Sequence, residues 1–408
     1  DLSLIPLSRS LDEANLNKEF LKAILEKAQD QLIEELCGKK YARNTDKKFQ
    51  RAGTTQRTLV TRYGTIKFKL VKVKSLENGT ILRPFLLYLG LGPRKRVVDD
   101  LDFECAELAT LLTYRDSQTV IRNLTKAEVP KHRIHSYVQK VGAFIDEERR
   151  KEDNTRTDLL YADGTKTHGL NQKKNEINVV VGKDAKTGQK NLLGLTVNKE
   201  WRETAKQVKT QAEILVADAD KPSKKRPPRQ SPKTTSSCVN HSVREVSMHL
   251  WKAGLPKNER KEILRKLRAI LHTCRNSVLK HLKDGDVERL KWRIEKTLAD
   301  LKELAKELAE DGLTSAAKFL MNSANYMVTF ARLAVKGIEV PYTNNLIERL
   351  MGEIAKRVKN KWMHWSTQGL ENLLNILLVR YCNKQFFGEI KEKYLNQGNK
   401  SLIQITIT

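Results

Sequence analysis

Three carboxylates beside regular elements are the side chains of this chain best suited to chemistry. Asp163 follows the apolar run 159–162 in TDLLYADGTKTHG. Asp218 follows the apolar run 214–217 in AEILVADAD, with Asp220 two residues on. Glu348 lies at the start of the helical stretch LIERLMGEIAKRVK. Two aspartates at strand ends and a glutamate on a later helix can converge on a pair of divalent cations. Oxygen donors that leave positions open for water and substrate suit Mg²⁺ or Mn²⁺. Such a pair activates a water or a 3′-hydroxyl and stabilises the departing oxygen in phosphodiester displacement. Each carboxylate also has a plain structural reading. Asp-Gly is a common turn pair, with Gly164 turning the chain out of its strand. Asp218 or Asp220 can turn the chain ahead of the next segment. Glu348, three residues after Asn345, can be the N3 partner of an Asn-capped helix.

Cys238 and His241, in CVNH, are zinc-ligand types at short spacing. A structural zinc site wants four such ligands, and only the scattered His249, His272 and Cys274 are near in sequence, so packing or hydrogen bonding is the favoured role. Around Glu348 the helix has a stripe of Leu346, Ile347, Leu350, Met351, Ile354 and Val358. Its other face carries Glu348, Gly352, Ala355, Lys356 and Lys359, with small residues leaving room for a backbone and two lysines for its phosphates; a solvated face has the same composition. Trp362 and Trp365 could stack on an unpaired base, although their apolar spacing favours core packing.

The elements that must hold these groups are legible as patterns. Residues 11–37 have helical apolar spacing. The stretch RTLVTRYGTIKFKLVKVKS alternates apolar and basic residues about Tyr63-Gly64, a β-hairpin whose lysines are Lys67, Lys69, Lys72 and Lys74. They could lie on phosphates or protect a solvated edge. From residue 99 a helix is expected to about Leu112, then a second over 114–124 opened by a Thr113/Asp116 capping box. After Val129-Pro130 comes a third, carrying Arg133, His135, Ser136 and Gln139; the trio suggests a helix-turn-helix or a simple packing unit. Residues 157–220 read as three strands with glycine-containing turns, a short helix and a buried fourth strand. The Pro-, Ser- and Lys-rich stretch 221–237 reads as a linker whose KKRPPR is a basic loop near DNA. Residues 238–335 read as two or three packed amphipathic helical segments. A final helical pair follows, and the tail NQGNKSLIQITIT shows no element. Hairpin strands, a helix and an acid-ended strand fit an α/β or α+β core, and the fold class expected is α/β.

The formal net charge is +27, spread along 408 residues, which points to a folded protein with broad basic surfaces. Nucleic acid is the favoured partner over a membrane surface, as no basic amphipathic anchor stands out, although RNA binding would give the same charge. No apolar run is long enough for a membrane span, and no secretory signal is expected from the first residues. Five scattered cysteines read as reduced thiols in a cytoplasmic protein.

Together these residues resemble the DDE transposases of prokaryotic insertion sequences related to the Mutator-like group. The resemblance rests on ADGT at Asp163, the strand ending at Asp218, CVNH at Cys238 and His241, and TNNLIERLMGEIAKR around Glu348, in that order. It covers about residues 50–385. It implies a ribonuclease-H-like mixed-sheet core interrupted by an all-α insertion and preceded by an N-terminal helix, a hairpin and a helix-turn-helix. The implied divisions are 1–98 and 99–152 for DNA binding, 153–237 for the first part of the core and 238–340 for the insertion. The core then ends over 341–390, with a tail at 391–408. Carried over, Asp163, Asp218 and Glu348 are the catalytic triad for two Mg²⁺ or Mn²⁺ ions, with Asp220 as the alternative second ligand. Lys67, Lys69, Lys72, Arg133, Lys356 and Lys359 are the expected DNA contacts. Where the family shows one acid and often a glycine after the second strand, this chain has Asp218-Ala219-Asp220; where the family more often has a helix, it has the linker 221–237. The implied partners are double-stranded transposon ends and target DNA, bridged by a homo-oligomer, in the prokaryotic cytoplasm at the nucleoid. The rival expectations are a nuclease of the same core without strand transfer, and a decayed, non-catalytic DNA-binding derivative.

Overall fold

The computed structural model describes residues 13–39, 48–89, 91–92, 96–152, 157–170, 174–217, 234–359 and 363–400. The chain divides into two compact units. One comprises residues 1–148, 372–380 and 384–408; the other comprises 149–371 and 381–383.

In the first unit, helix α1 (Glu13–Cys37) lies on an antiparallel hairpin of β1 (Phe49–Thr61) and β2 (Gly64–Ser75). Leu21, Leu25, Ala28 and Leu32 of α1 pack against Leu59, Ile66, Phe68 and Leu70, with Phe85 and Leu86 from the short α2 (Pro84–Tyr88). The buried Gln29 binds the strand backbone twice, donating to Lys69 O at 2.8 Å and accepting from Val71 N at 2.9 Å. Between Arg51 and Thr54 the ladder shifts register, setting Ala52 and Gly53 against the single Lys72, one residue more on β1. Gly53 takes a left-handed φ of 95°, open to glycine at no steric cost. The bulge shifts the alternation in β2: Ile66, Phe68 and Leu70 point inward, then Val73 and Ser75. Lys67, Lys69 and Lys74 are therefore exposed, while Lys72 at the phase change is half-buried. A short β3 (Ile81–Leu82) pairs with β2 only at Val73 and Lys74.

Helices α3 (Asp99–Leu108), α4 (Tyr114–Thr125) and α5 (Lys131–Lys151) follow. The first stops four residues short of the expected Leu112. There, Thr110 N and Leu111 N bond to carbonyls three residues back, and the Thr110 hydroxyl caps Glu107 O at 2.7 Å. The N-cap half of the expected capping box is present, Thr113 Oγ1 accepting from Asp116 N at 3.1 Å, and the Asp116 carboxylate accepts from the Thr113 hydroxyl at 2.7 Å. Helix α14 (Lys384–Lys400) reaches the first five residues of the tail from which the sequence yields no element. Its Tyr394 donates to the buried Asp102 carboxylate, which also pairs with Lys140 at 3.2 Å.

The second unit holds a five-stranded sheet of β4 (Leu159–His168), β5 (Lys174–Lys183), β6 (Lys190–Val197), β7 (Ile214–Ala217) and β8 (Thr234–Ser237). Its order is β6-β5-β4-β7-β8; β4, β5 and β6 are antiparallel neighbours, and β7 and β8 run parallel to β4. Leu160, Val180 and Leu193 form one face with Trp201 of α6 (Trp201–Gln207), Val208, Ala212 and Leu215. Strand β8 corrects the reading of 221–237 as wholly linker. TTSS has no hydrophobic alternation, yet β-branched threonine suits a strand, and Ser236 and Ser237 are small enough to be buried. Five helices, not two or three, form the following segment: α7 (Val239–Lys252), α8 (Lys257–Asp284), α9 (Val287–Glu310), α10 (Thr314–Met327) and α11 (Thr329–Val335). The breaks fall at Gly254 and Gly285 (both φ > 0), at Gly312 and at Met327-Val328, of which only the first three carry a turn signal. Helices α12 (Asn345–Val358) and α13 (Thr367–Cys382) complete the elements, and no described helix is long and apolar enough to cross a membrane.

Candidate active site

Asp163 does not end its strand. It pairs with Val179 in the middle of β4, and the ladder with β5 continues to His168. The parallel partner is shorter: β7 is paired with β4 only at Leu159, Leu160 and Tyr161. Asp163 thus lies just past the last parallel pair, half-buried, with its Oδ1 accepting Gly164 N at 2.7 Å.

Gly164 is not a turn residue either. It pairs with Asn178 within the ladder, and it is absent from the glycines with positive φ. Its reason is crowding. A Cβ there would meet Asn178 Oδ1 at 3.1 Å and both Ile177 O and Trp201 Cζ2 at 3.3 Å. Asn178 is a site neighbour that sequence reasoning missed. It is buried, donates Nδ2 to Lys199 O at 2.9 Å, and leaves Oδ1 without a hydrogen-bond partner. A lone asparagine inside the apolar run INVVV was the available signal. Two residues before Asp163, burial pushes the Tyr161 hydroxyl up to about 12, so it stays a neutral phenol at physiological pH.

Glu348 sits one position deeper in its helix than the capping-box reading requires. Asn344 is the N-cap and makes no side-chain cap bond; Glu348 N bonds to Asn344 O at 3.1 Å. The carboxylate is instead turned toward the insertion. Its Oε1 is buried without a hydrogen bond and lies 3.4 Å from His241 Nδ1. Cys238, fully buried, accepts the N–H of Asn344 on its sulfur at 3.3 Å. Ligand atoms of Cys238, His241 and Glu348 all fall within 4.8 Å of one another. Asp163 is not one of that trio.

Two anchors orient α12, which packs on β4. At its start, Asn344 is bound to Cys238, and Cys238 N donates to Ala217 O at the end of β7 at 3.1 Å. At its end, Val358 O accepts from Thr167 Oγ1 of β4 at 2.7 Å. From Glu348 to Val358 the helix advances about 15 Å, and from Asp163 to Thr167 the strand advances about 13 Å. The backbone positions of Asp163 and Glu348 are therefore both set back from one tie point, by similar lengths of strand and helix.

Asp218, Asp220, Trp362 and the basic stretch up to residue 233 lie outside the described residues. The buried face of α12 is Ile347, Leu350, Ile354, Arg357 and Val358, with Leu346 and Met351 only half-buried. On its other face a Cβ at Gly352 would meet nothing within 4 Å. Lys356 is exposed and paired with Glu353 at 2.7 Å, which holds its ammonium above the ordinary lysine range; Lys359 is exposed at the C-cap. Trp365 is buried, donates its indole to Val358 O at 3.2 Å and lies under the Arg357 guanidinium, which is the packing role. In the first unit, Arg133 is exposed in the first turn of α5.

No curated protein matches the chain. A family described as Transposase, Mutator family matches residues 5–386, nearly the whole length and including every element described above except most of α14. With that match, the chain belongs to the Mutator family of transposases.

Proposed function

We propose that this transposase is a metal-dependent DNA-cleaving and strand-joining enzyme of the DDE type, with Asp163, Asp218 and Glu348 as its acids. Asp220 is the alternative to Asp218. The observation that carries the reading is the anchoring of the Glu348 helix along the strand that carries Asp163. Asp163 lies on β4 beyond the last parallel pair with β7, and Glu348 is on the helix anchored to the ends of both strands. The sheet order β6-β5-β4-β7-β8, with three antiparallel strands and two parallel ones, supports a ribonuclease-H-like core. The five helices α7–α11 between β8 and α12 correspond to an all-α insertion.

The donors fit hard divalent ions: Asp163 and Glu348 offer oxygen, and Glu348 Oε1 is buried without a hydrogen bond. Two Mg²⁺ or Mn²⁺ ions at these residues would supply charge at the scissile phosphate and a deprotonated nucleophile. The reaction is hydrolysis at the transposon ends, releasing a 3′-hydroxyl, which then attacks a target phosphodiester and displaces its 3′ oxygen. The exposed lysines of β2, together with α3–α5 as a helix-turn-helix led by Arg133, would bind terminal repeats of an insertion sequence. A homo-oligomer would hold two ends together.

The test is a cleavage assay on end-containing DNA with Mg²⁺ or Mn²⁺. Asp163→Asn and Glu348→Gln are expected to abolish cleavage and to leave DNA binding within about two-fold, a change far below the tenfold that 1.4 kcal/mol represents. Retained cleavage removes that residue from the site. Cleavage without joining of pre-cleaved ends would leave a nuclease, and no cutting by the unmodified protein would leave a DNA-binding derivative.

A further inference from the structure

We propose that Cys238, His241 and Glu348 form a site for one borderline-soft divalent ion, of which Zn²⁺ is the type, distinct in donor chemistry from the Mg²⁺ or Mn²⁺ reading of the carboxylates. The trio offers a sulfur, an imidazole nitrogen and a carboxylate oxygen within 4.8 Å of one another. Around a tetrahedral ion with bonds of about 2.0–2.3 Å, ligand atoms stand roughly 3.3–3.8 Å apart, so a contraction of about 1 Å closes the site. Three protein ligands and one open position form the arrangement of a reactive or exchangeable zinc, not of a four-ligand structural one.

The surroundings suit such an ion. The Asn344 N–H already donates to Cys238 Sγ at 3.3 Å, as outer-shell donors do to metal-bound thiolates. Asn344 itself is fully buried, with neither Oδ1 nor Nδ2 hydrogen-bonded, and Glu348 Oε1 is buried in the same condition. Glu348 remains 35% exposed, which leaves a way in. Coordination through His241 Nδ1 puts the ring proton on Nε2. The Arg244 guanidinium, 3.3 Å from Nε2 and exposed, must then swing out to solvent.

The occupied site would take the carboxylate that the proposed cleavage chemistry needs, so zinc would hold the enzyme inactive. Binding itself does not rest on that chemistry and is read without DNA. The full-length protein is titrated with Co²⁺ under reducing conditions and followed by absorbance. The expected result is a near-ultraviolet thiolate-to-cobalt band and four-coordinate d–d bands that saturate at one ion per chain, are bleached by Zn²⁺ and persist in excess Mg²⁺. Cys238→Ser should lose the thiolate band. His241→Ala should weaken Co²⁺ binding by about ten-fold or more, with an unchanged far-ultraviolet circular dichroism spectrum. If Cys238→Ser fails to fold, His241→Ala and Glu348→Gln carry the test. No saturable band, an unchanged band in Cys238→Ser, or unchanged affinity in both His241→Ala and Glu348→Gln overturns the site. If the protein binds Co²⁺ in this way, failure of cleavage by the same protein stripped of soft metal and supplied with Mg²⁺ or Mn²⁺ would instead count against the catalytic reading alone.

Discussion

Thr167 on β4 donates its hydroxyl to the carbonyl of Val358 at 2.7 Å, joining the end of α12 to the strand that carries Asp163. The indole of Trp365 shares that carbonyl at 3.2 Å, so the acceptor stays satisfied when Thr167 is removed. What the hydroxyl adds is position: it fixes the far end of the helix whose near end holds Glu348.

Thr167→Val keeps the β-branched shape in a buried place and deletes only this donor. The expected loss is about 1 kcal/mol of stability, or roughly 2–4 °C in Tm for a unit of this size. DNA cleavage should fall further than the stability change explains. Thermal melts and single-turnover cleavage on the same preparation check it; an unchanged Tm would mean the bond holds nothing.

Gly164→Ala tests the crowding beside Asp163. The added methyl meets Asn178 Oδ1 at 3.1 Å and two further atoms at 3.3 Å, with a backbone carbonyl among them. Overpacking of this kind costs about 1–3 kcal/mol, and displacement of a reacting group by a fraction of an ångström is expected to cut cleavage by about ten-fold or more. DNA affinity in a gel-shift assay should not change. Full cleavage by Gly164→Ala would show that the strand yields without moving the acid.

The sequence made some of these relationships legible and hid others for physical reasons. Apolar runs marked β4, β5, β6 and β7, since each buries apolar side chains. The same logic misplaced Asp163 at a strand end, because Asp-Gly is a turn pair only where backbone can leave the ladder; here β5 holds it to His168. Strand β8 was hidden because TTSS has no apolar side chains, and its place is set by pairing with β7. The meeting of Cys238, His241 and Glu348 spans more than a hundred residues, and no local pattern encodes it. Lys67, Lys69 and Lys74 of β2 are exposed as the alternation predicts, whereas Lys72, opposite the register shift, is half-buried.

Gly142 of α5 illustrates a close approach with no sequence signal. A Cβ there would sit 2.3 Å from Asn372 O and 2.7 Å from Asn372 Cα and C, backbone atoms of α13 that cannot turn aside. The same crossing carries a hydrogen bond from Asn372 Nδ2 to Gln139 Oε1 at 2.7 Å. Gly142→Ala gains about 0.5–1 kcal/mol of helix propensity, yet the two helices must separate. The expected net is a loss of about 1–3 kcal/mol, seen as a lower midpoint in urea. A neutral or stabilised protein would contradict the close crossing.

Lys67 and Lys69 decide whether the exposed face of β2 binds phosphates or only guards a strand. Apart from β1, no described strand pairs with β2 beside them, since β3 reaches only Val73 and Lys74, so protection of an open edge is a sufficient reason for lysine there. Both are exposed, whereas Lys72 is half-buried, so Lys67→Ala with Lys69→Ala removes two charges without opening the core. The Gln29 bond to this strand uses the Lys69 backbone and survives the change. If the two lysines bind DNA, affinity drops across all sequences, and the slope of log affinity against log salt shallows by about 0.9 for each phosphate no longer neutralised. If they only guard the edge, slope and affinity are unchanged and the double variant aggregates more readily. Binding isotherms at several salt concentrations, with light scattering on the same samples, separate the two; we expect the shallower slope.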